Sequence, residues 1–264
     1  MPEGDTIHRA AAKLAPVLDS AVLRRFEAPR LAGPRPRVGE TIESVVAVGK
    51  HLQVNFSGGL TLETHMRMTG SWHVYRQGEK WRKPAHLMRC AIVVDGYQAV
   101  CFSAPVIRTF PTAAKGTVQD PTVHLGPDLV VDRGSDEAQD AVVAECVLRM
   151  TALDPATPIG EVLLDQRIGN GIGNVYKSDV CWIEQVDPFK PLSAVDEATR
   201  TRLIATASRL LKKNLGPGRR RTVAEGLAVY GRRNAPCRRC GAPVRKATKG
   251  ELARITYWCP NCQH

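Results

Sequence analysis

The chain has 264 residues, of which 43% are hydrophobic, and a formal net charge of +11. No apolar run approaches the length that crosses a bilayer, and no signal-peptide pattern opens the chain. We therefore exclude a membrane or secreted protein and expect a soluble cytosolic one with one or two domains.

The basic excess is concentrated at the end of the chain. Residues 201–264 hold 15 Lys and Arg against 2 acidic residues, a net +13, whereas residues 1–200 hold 22 against 24, a net −2. A basic terminal module beside a nearly neutral one is typical of a protein that binds a polyanion, most often nucleic acid. A solvated, solubilising face is the alternative interpretation.

The first predicted element is a helix. Apolar residues recur at helical spacing from Asp5 to about Leu18. Asp5 or Thr6 is expected to cap its start, and Pro16 is expected to kink or end it.

The residues in front of this helix, "MPEGD", have two interpretations. If Met1 is removed, which the small Pro2 permits, the chain begins with a secondary amine, and terminal amines have a pKa of ~8. Such an amine attacks an aldehyde-like carbon to give an iminium, and Glu3 is the neighbouring group that can move protons. The alternative is ordinary helix-start chemistry without catalysis.

Six strand-like runs follow a loop rich in proline and arginine, and turn signals separate several of them. They cover residues 41–48, 52–56, 60–65, 71–75, 88–95 and 98–102. Short strands at this spacing predict a β-sandwich or barrel, which we place in residues 1–112. Lys50, between the first two runs, is either a ligand for phosphate or sugar or a solvated charge.

The composition of residues 113–132 predicts a linker, because turn residues occur there without periodicity. Residues 133–221 form a helical domain, and residues 222–264 form a cysteine-containing module that follows the basic stretch "GPGRRR". Helices are expected over residues 135–150, 157–167, 174–185 and 196–215, the second of them capped by Thr157.

The turn "GNGIGN", residues 169–174, lies between two of these helices. Backbone N–H groups at the start of the following helix are suited to hold a phosphate, and Asn174 and Lys177 come next on that helix. A tight glycine turn between helices is also a common DNA-docking arrangement. A plain helix connector is the alternative.

Eight cysteines fall into two sets. Four are scattered in apolar or helical contexts and are expected to be buried and inert: Cys90, Cys101, Cys146 and Cys181. The other four form two C-x2-C pairs separated by 18 residues: Cys237, Cys240, Cys259 and Cys262. In a cytosolic protein this spacing predicts one structural zinc ion in a four-thiolate shell, with a hairpin between the pairs.

Arg254 lies within that hairpin, where a metal site would hold its guanidinium rigidly for a phosphate. On composition alone, Arg254 is equally well one more member of a basic surface.

Several stretches, in chain order, resemble bacterial DNA glycosylases with lyase activity, the formamidopyrimidine-DNA glycosylase and endonuclease VIII family. They are "MPEGDTIHRA", "VGKHL", "THMRMTGSW", "LLDQRIGNGIGNVYKSD" and "YGRRNAPCRRCGAPV" with "RITYWCPNCQ". The opening resembles the endonuclease VIII branch. The resemblance runs from the first residue nearly to the last.

The resemblance implies an α+β multidomain fold: an N-terminal helix with a β-sandwich, then a helix–two-turn–helix domain with a zinc finger. It implies a bifunctional enzyme of base excision repair, a monomer in the bacterial cytosol or nucleoid, acting on damaged double-stranded DNA and abasic-site DNA. Such an enzyme removes oxidised bases, pyrimidines being favoured, and nicks the strand by β- and δ-elimination. The alternative class is a zinc-containing duplex-binding protein without catalysis.

The resemblance also implies a role for each residue that matches a functional position of this family. Pro2 attacks C1′ of the deoxyribose and forms a Schiff base, while Glu3 is the general acid and base. Lys50 holds a phosphate and assists elimination. Asn174 and Arg254 bind phosphates that flank the flipped nucleotide.

The resemblance also implies a wedge that fills the space left by the flipped base. Met68 matches the wedge residue of the formamidopyrimidine branch. Arg108 and Phe110, in "VIRTFP", match the Arg-x-Phe of that same branch but lack the Asp and Gly that flank it there. Since the opening of the chain resembles the endonuclease VIII branch, the wedge is mixed between the two branches. The remaining expected DNA-binding residues are His65, Arg67 and Lys177.

Overall fold

The structure is a computed structural model that describes residues 2–249 and 254–264. It divides into two units, one up to His124 and one from Leu125 onward. This boundary falls inside residues 113–132, the segment expected to be a linker. Ala114 belongs to the first unit, whereas Leu129 packs into the core of the second.

The first unit begins with helix α1 (Gly4–Leu18), whose start differs from the expected one. Glu3, not Asp5 or Thr6, occupies the N-cap position, and its side chain forms no capping hydrogen bond. Pro16 lies inside α1, two residues before its end. The helix tolerates this proline because a proline in the last turn removes a single backbone hydrogen bond.

Eight strands form two four-stranded antiparallel sheets, ordered β1-β6-β7-β5 and β2-β3-β4-β8. The strands are β1 (Arg25–Glu27), β2 (Ile42–Val48), β3 (His51–Phe56), β4 (Leu60–His65), β5 (Ser71–Arg76), β6 (Met88–Val94), β7 (Tyr97–Phe102) and β8 (Val106–Pro111). All six predicted strands are confirmed. The two strands that were not predicted are β1 and β8.

Both sheets and α1 contribute to one core. Its fully buried members come from all three layers: Ile7 and Leu14 from α1, Leu52, Val54 and Leu62 from one sheet, and Cys90, Ile92 and Cys101 from the other. The first unit is therefore a β-sandwich with α1 packed into it. This packing fixes the start of α1, and with it the position of residues 2 and 3.

The second unit contains helices α2 (Asp136–Met150), α3 (Ile159–Val162), α4 (Asn174–Ile183) and α5 (Glu197–Lys213). Ser135 caps α2 and Asp196 caps α5 by accepting N–H groups at 3.2 and 2.7 Å. Helix α3 is much shorter than expected, and Pro158 rather than Thr157 is its N-cap. Strands β9 (Arg245–Lys249) and β10 (Arg254–Trp258) pair as an antiparallel ladder.

Helix α4 carries consecutive polar residues that are fully buried, among them Ser178 and Asp179. The Asp179 carboxylate accepts the backbone N–H groups of residues 228–230 at 2.8–3.0 Å and the hydroxyl of Thr222. Ser178 Oγ accepts the N–H of Tyr257 at 3.3 Å. We call residues 222–264 the cysteine module, and these bonds anchor it to α4.

Within the ranges given above, no helix is both long enough and apolar enough to cross a membrane.

We predict that Asp179→Ala lowers the free energy of unfolding by at least about 3 kcal/mol, because it leaves three buried N–H groups without an acceptor. Asp196→Ala is the matched control, since it removes an exposed carboxylate from a helix cap and is expected to cost about 1 kcal/mol. Urea unfolding of both variants measures the difference. Equal losses would show that Asp179 is not the anchor of the cysteine module.

Candidate functional site

The N-terminal residues are held by the start of α1. Backbone N–H groups of Thr6 and Ile7 donate to the carbonyl of Glu3 at 2.9 and 3.2 Å. The side chain of Glu3 is completely buried, and Pro2 beside it is half-buried. Met1 lies outside the described residues, so its removal stays a prediction. Glu3 thus directly follows residue 2 on a backbone that the start of α1 fixes, and a carboxyl group at this place in the chain is a candidate for proton transfer at the nitrogen of residue 2.

Lys50 lies in the two-residue turn between β2 and β3, where Val48 pairs with His51. Its side chain is half-buried. A tight hairpin fixes the backbone at this position, so the side chain of Lys50 extends from a backbone that cannot shift easily.

Behind this turn lies a buried carboxylate, Glu63, which is completely inaccessible to solvent. It bonds to His51 Nδ1 at 2.5 Å and accepts the Nε–H of Arg108. Burial raises the pKa of Glu63, but the bonds from His51 and Arg108 outweigh it, so the pKa is below its ordinary value. Glu63 therefore remains ionised and fixes the beginning of β3, directly after Lys50.

His65 is held as a neutral ring. Burial, and then the positive charges of His51, Lys50 and Arg67, lower its pKa to about 4. Its Nδ1 accepts the backbone N–H of Arg67 at 3.3 Å, which leaves the proton on Nε2. His65 can therefore act as an uncharged hydrogen-bond donor at neutral pH.

The turn after β4 displays Met68, whose exposed fraction is 63%. Met66 before it is buried, and the N–H of Gly70 donates to the carbonyl of Met66 at 2.8 Å. A Cβ at position 70 would lie 2.7 Å from the Cα of Met66, so only glycine allows this close approach. A large apolar side chain is thus presented to solvent on a tightly closed turn.

In the second unit, the glycine-rich turn leads into α4. Gly171 has a φ of +105°, which side chains rarely tolerate. The N–H of Gly171 donates to Gln166 Oε1 at 3.1 Å, and Gln166 Nε2 donates back to the carbonyl of Ile172 at 3.1 Å. Gly173 is the N-cap of α4 and has no capping side chain. The turn therefore holds Asn174 at the N-terminal end of the helix, the end that favours anions.

Arg254 is the first residue of β10, and its side chain is exposed. The preceding residues, 250–253, lie outside the described ranges. An exposed guanidinium at the beginning of a paired strand is available to a phosphate group.

The four paired cysteines lie together, with all sulfur atoms within 4.8 Å of one another. The Sγ atoms of Cys237 and Cys262 are 3.9 Å apart, and those of Cys240 and Cys259 are 3.5 Å apart. A tetrahedral ion with ~2.3 Å metal–sulfur bonds requires sulfur separations of about 3.8 Å. The cluster therefore has the dimensions of a four-thiolate metal site.

The first 111 residues match the family model described as the formamidopyrimidine-DNA glycosylase N-terminal domain. The full chain is 41% identical to a probable endonuclease 8 of Streptomyces coelicolor, with 94% of that protein covered. The chain belongs to the formamidopyrimidine-DNA glycosylase and endonuclease VIII family.

One further relative supports this family, and a solved structure supports the fold. It is 32% identical over its whole length to a DNA-(apurinic or apyrimidinic site) lyase of Mycolicibacterium smegmatis, 99% of which is covered. The fold matches a Lactococcus lactis formamidopyrimidine-DNA glycosylase solved with lesion-containing DNA, at a TM-score of 0.81 and 21% identity over both full chains. The α+β architecture with an N-terminal sheet domain and a cysteine cluster near the C-terminus is thus confirmed.

Two expected wedge residues of this family are not in a loop. Arg108 and Phe110 lie on β8, which pairs with β4. Phe110 is 6% exposed, so it cannot enter a base stack in this conformation. Arg108 is directed to Glu63. The structure thus places both residues on a strand, and not in a loop like the Arg-x-Phe loop of the formamidopyrimidine branch, while DNA contact by Arg108 stays a prediction.

Lys177 also differs from expectation. It was expected at the DNA surface, but only 2% of its surface is exposed. Its Nζ donates to Asn174 Oδ1, to the carbonyl of Ile255 and to Thr256 Oγ1, at 3.3, 3.1 and 2.7 Å. The structure places Lys177 inside the unit, between α4 and β10.

Sequence reasoning missed Glu63 and Asp179. Both are buried carboxylates that accept from donors distant in sequence: Arg108 is 45 residues from Glu63, and the donors to Asp179 are 43 to 51 residues away. The only available signal was their position within apolar strand and helix patterns, where an acidic residue needs a buried partner.

We predict that stability falls by about 2 kcal/mol between pH 7 and pH 5 because of His65. Its pKa is about 4 in the folded protein and 6.5 ordinarily, so the unfolded chain binds the proton first as pH falls. His65→Asn keeps a hydrogen-bond acceptor for the N–H of Arg67 but does not titrate. Urea unfolding at both pH values should show this loss in the parent protein and its absence in His65→Asn. An identical loss in both proteins would contradict the assignment.

We predict that the purified protein carries one metal ion per chain and that Cys240→Ala abolishes this content, because three thiolates no longer close the shell. Cys90→Ala is the control, since Cys90 is buried in the sandwich core away from the cluster. Elemental analysis measures both. Retention of a full equivalent by Cys240→Ala would contradict the metal site.

Proposed function

We propose that this protein is a bifunctional DNA glycosylase and abasic-site lyase of base excision repair, with the backbone nitrogen of Pro2 as its nucleophile. The enzyme class follows from family membership and from relatives that are named endonuclease 8 and abasic-site lyase. The observation that carries the proposal is the completely buried Glu3 carboxylate beside Pro2 at the fixed start of α1.

In the proposed reaction, the Pro2 nitrogen attacks C1′ of the damaged nucleotide after Met1 has been removed. The bond between C1′ and the base breaks, and an iminium forms between the sugar and the protein. Glu3 moves protons at the opening sugar ring. The electron-withdrawing iminium then acidifies the C2′ hydrogen, which promotes β- and δ-elimination of the flanking phosphates.

Three other side chains are assigned to phosphate binding. In the first unit, Lys50 holds a phosphate near the lesion and assists elimination, from a turn that Glu63 stabilises. In the second unit, Asn174 at the start of α4 and the exposed Arg254 bind phosphates. The net +13 of residues 201–264 supplies the long-range attraction to DNA.

Met68 is the proposed wedge, because its exposed side chain lies on a closed turn and apolar wedges replace flipped bases in DNA stacks. Arg67 and His65 flank it as DNA-contacting donors. Since Arg108 and Phe110 do not form the loop of the formamidopyrimidine branch, we propose oxidised pyrimidines, the substrates implied for the endonuclease VIII branch, as the preferred lesions.

Zinc is the proposed ion of the cysteine cluster. Four thiolates favour zinc among common divalent metals and leave no position open for catalysis, so the ion has a structural role. Trp182 Nε1 and the backbone N–H of Arg239 donate to Cys237 Sγ at 3.2 and 3.4 Å, which further orients this ligand. We place the protein in the bacterial cytosol, as a monomer.

Borohydride trapping on a duplex with an abasic site tests the nucleophile. The parent protein is expected to form a covalent adduct. Pro2→Leu is expected to form none, because its large second residue keeps Met1 in place and the amine is lost from this position. Glu3→Gln is expected to retain trapping on the preformed abasic site but to lose about 10²–10⁴-fold in base excision.

Two controls make this result specific. Lys13→Leu removes an exposed amine from α1 and should leave the adduct unchanged. Lys50→Met tests the rival nucleophile and should slow elimination without preventing adduct formation. Loss of the adduct in Lys50→Met but not in Pro2→Leu would overturn the proposal, and no adduct with the parent protein would favour a DNA-binding protein without catalysis. Faster excision from an oxidised-purine duplex than from an oxidised-pyrimidine duplex would overturn the lesion preference.

A further inference from the structure

Lys177 is a buried cation that donates to acceptors on α4 and β10. Its partners are Asn174 Oδ1 at 3.3 Å, the Ile255 carbonyl at 3.1 Å and Thr256 Oγ1 at 2.7 Å. Only 2% of the side chain is exposed. Because this ammonium group is buried and donates its protons to acceptors within the protein, it is not available to a DNA phosphate.

The first consequence concerns the amide of Asn174. A lysine can only donate, so the amide oxygen must point toward Lys177 Nζ. The amide nitrogen, with its two N–H donors, then points away from Lys177. Asn174 is the first residue of α4, where the helix end adds partial positive charge. Lys177 therefore determines that Asn174 presents donors, which suit a phosphate oxygen, and not an acceptor.

The second consequence concerns β10. Ile255 and Thr256 directly follow Arg254, so Lys177 holds the strand at the point where Arg254 begins it. Ser178, the next residue of α4, accepts the N–H of Tyr257 at 3.3 Å and extends the same attachment. Two neighbouring helix residues thus fix the register of β10 against the start of α4.

We propose that Lys177 is a positioning residue that sets both phosphate-binding groups of the second unit. It orients the amide of Asn174 and ties the strand of Arg254 to the glycine-rich turn, without itself contacting DNA. This inference rests on the proposed function only in assigning phosphate binding to Asn174 and Arg254.

The test is a double-mutant cycle on affinity for an abasic-site duplex. Lys177→Met keeps the length of the side chain but removes its donors, which leaves buried acceptors unpaired, so affinity is compared only among variants that are shown to be folded. We expect about tenfold weaker binding from Lys177→Met in the parent protein and less than about threefold in an Asn174→Ala background. If Lys177→Met weakens binding tenfold in the Asn174→Ala background as well, the two side chains act independently, and the proposal is overturned.

Salt dependence separates positioning from direct contact. A side chain that neutralises a phosphate contributes ~0.9 to the slope of log affinity against log salt concentration. Arg254→Ala should therefore lower the slope by about 0.9. In an Arg254→Ala background, which already lacks that phosphate contact, adding Lys177→Met should leave the slope unchanged. A slope lowered by a further ~0.9 in this background would show that Lys177 binds phosphate directly and would overturn the proposal.

Two further variants distinguish a specific loss of DNA affinity from a folding defect. Lys177→Gln retains N–H donors and is expected to bind DNA within about threefold of the parent protein, so a tenfold loss in a folded Lys177→Gln would also overturn the proposal. Lys13→Met removes an exposed lysine of α1, outside the basic residues 201–264, and is expected to leave affinity unchanged. Metal content and circular dichroism confirm folding. These experiments measure only DNA binding. If the parent protein forms no borohydride adduct, the proposed catalysis is overturned, but the positioning role of Lys177 is not.

Discussion

The attachment of the cysteine module to α4 is the interaction on which the second unit depends. Lys177, Ser178 and Asp179 follow one another on this helix and are all buried. Each is bonded to a different part of residues 222–264. Buried polar groups are costly unless they are fully paired, so this helix can pack only with the module in place. The glycine-rich turn, β10 and the cysteine cluster are therefore positioned by one helix.

The first unit uses buried carboxylates in a similar way. Glu3 lies at the beginning of α1, which the sandwich core holds, and Glu63 lies beneath the turn that carries Lys50. In both places the apolar core fixes a backbone that carries a buried carboxyl group: Glu3 follows Pro2 in the chain, and Glu63 bonds to His51, the residue after Lys50. The proposed chemistry thus depends on groups that cannot move without disturbing the sandwich.

Much of this architecture is visible in the sequence, because strand alternation, helix caps and cysteine spacing are local signals. Six strands, the helices α2 and α5 and the cysteine cluster were predicted in this way. Long-range pairing is not local. Nothing near Asp179 indicates residues 228–230 as its partners, and Lys177 has the same appearance in sequence whether it is exposed or buried. Strand β8 was not predicted, because its six residues carry only a short apolar pattern that ends at a proline.

The central functional claim is the identity of the nucleophile, and peptide mapping of the borohydride-reduced adduct tests it most directly. After digestion of the DNA and cleavage of the protein by trypsin, mass spectrometry locates the residual sugar. We predict that it is attached to the peptide from Pro2 to Arg9, with Met1 absent and the modification on the terminal nitrogen. A modified lysine, above all Lys50, or a modified peptide that still begins with Met1, would contradict the account.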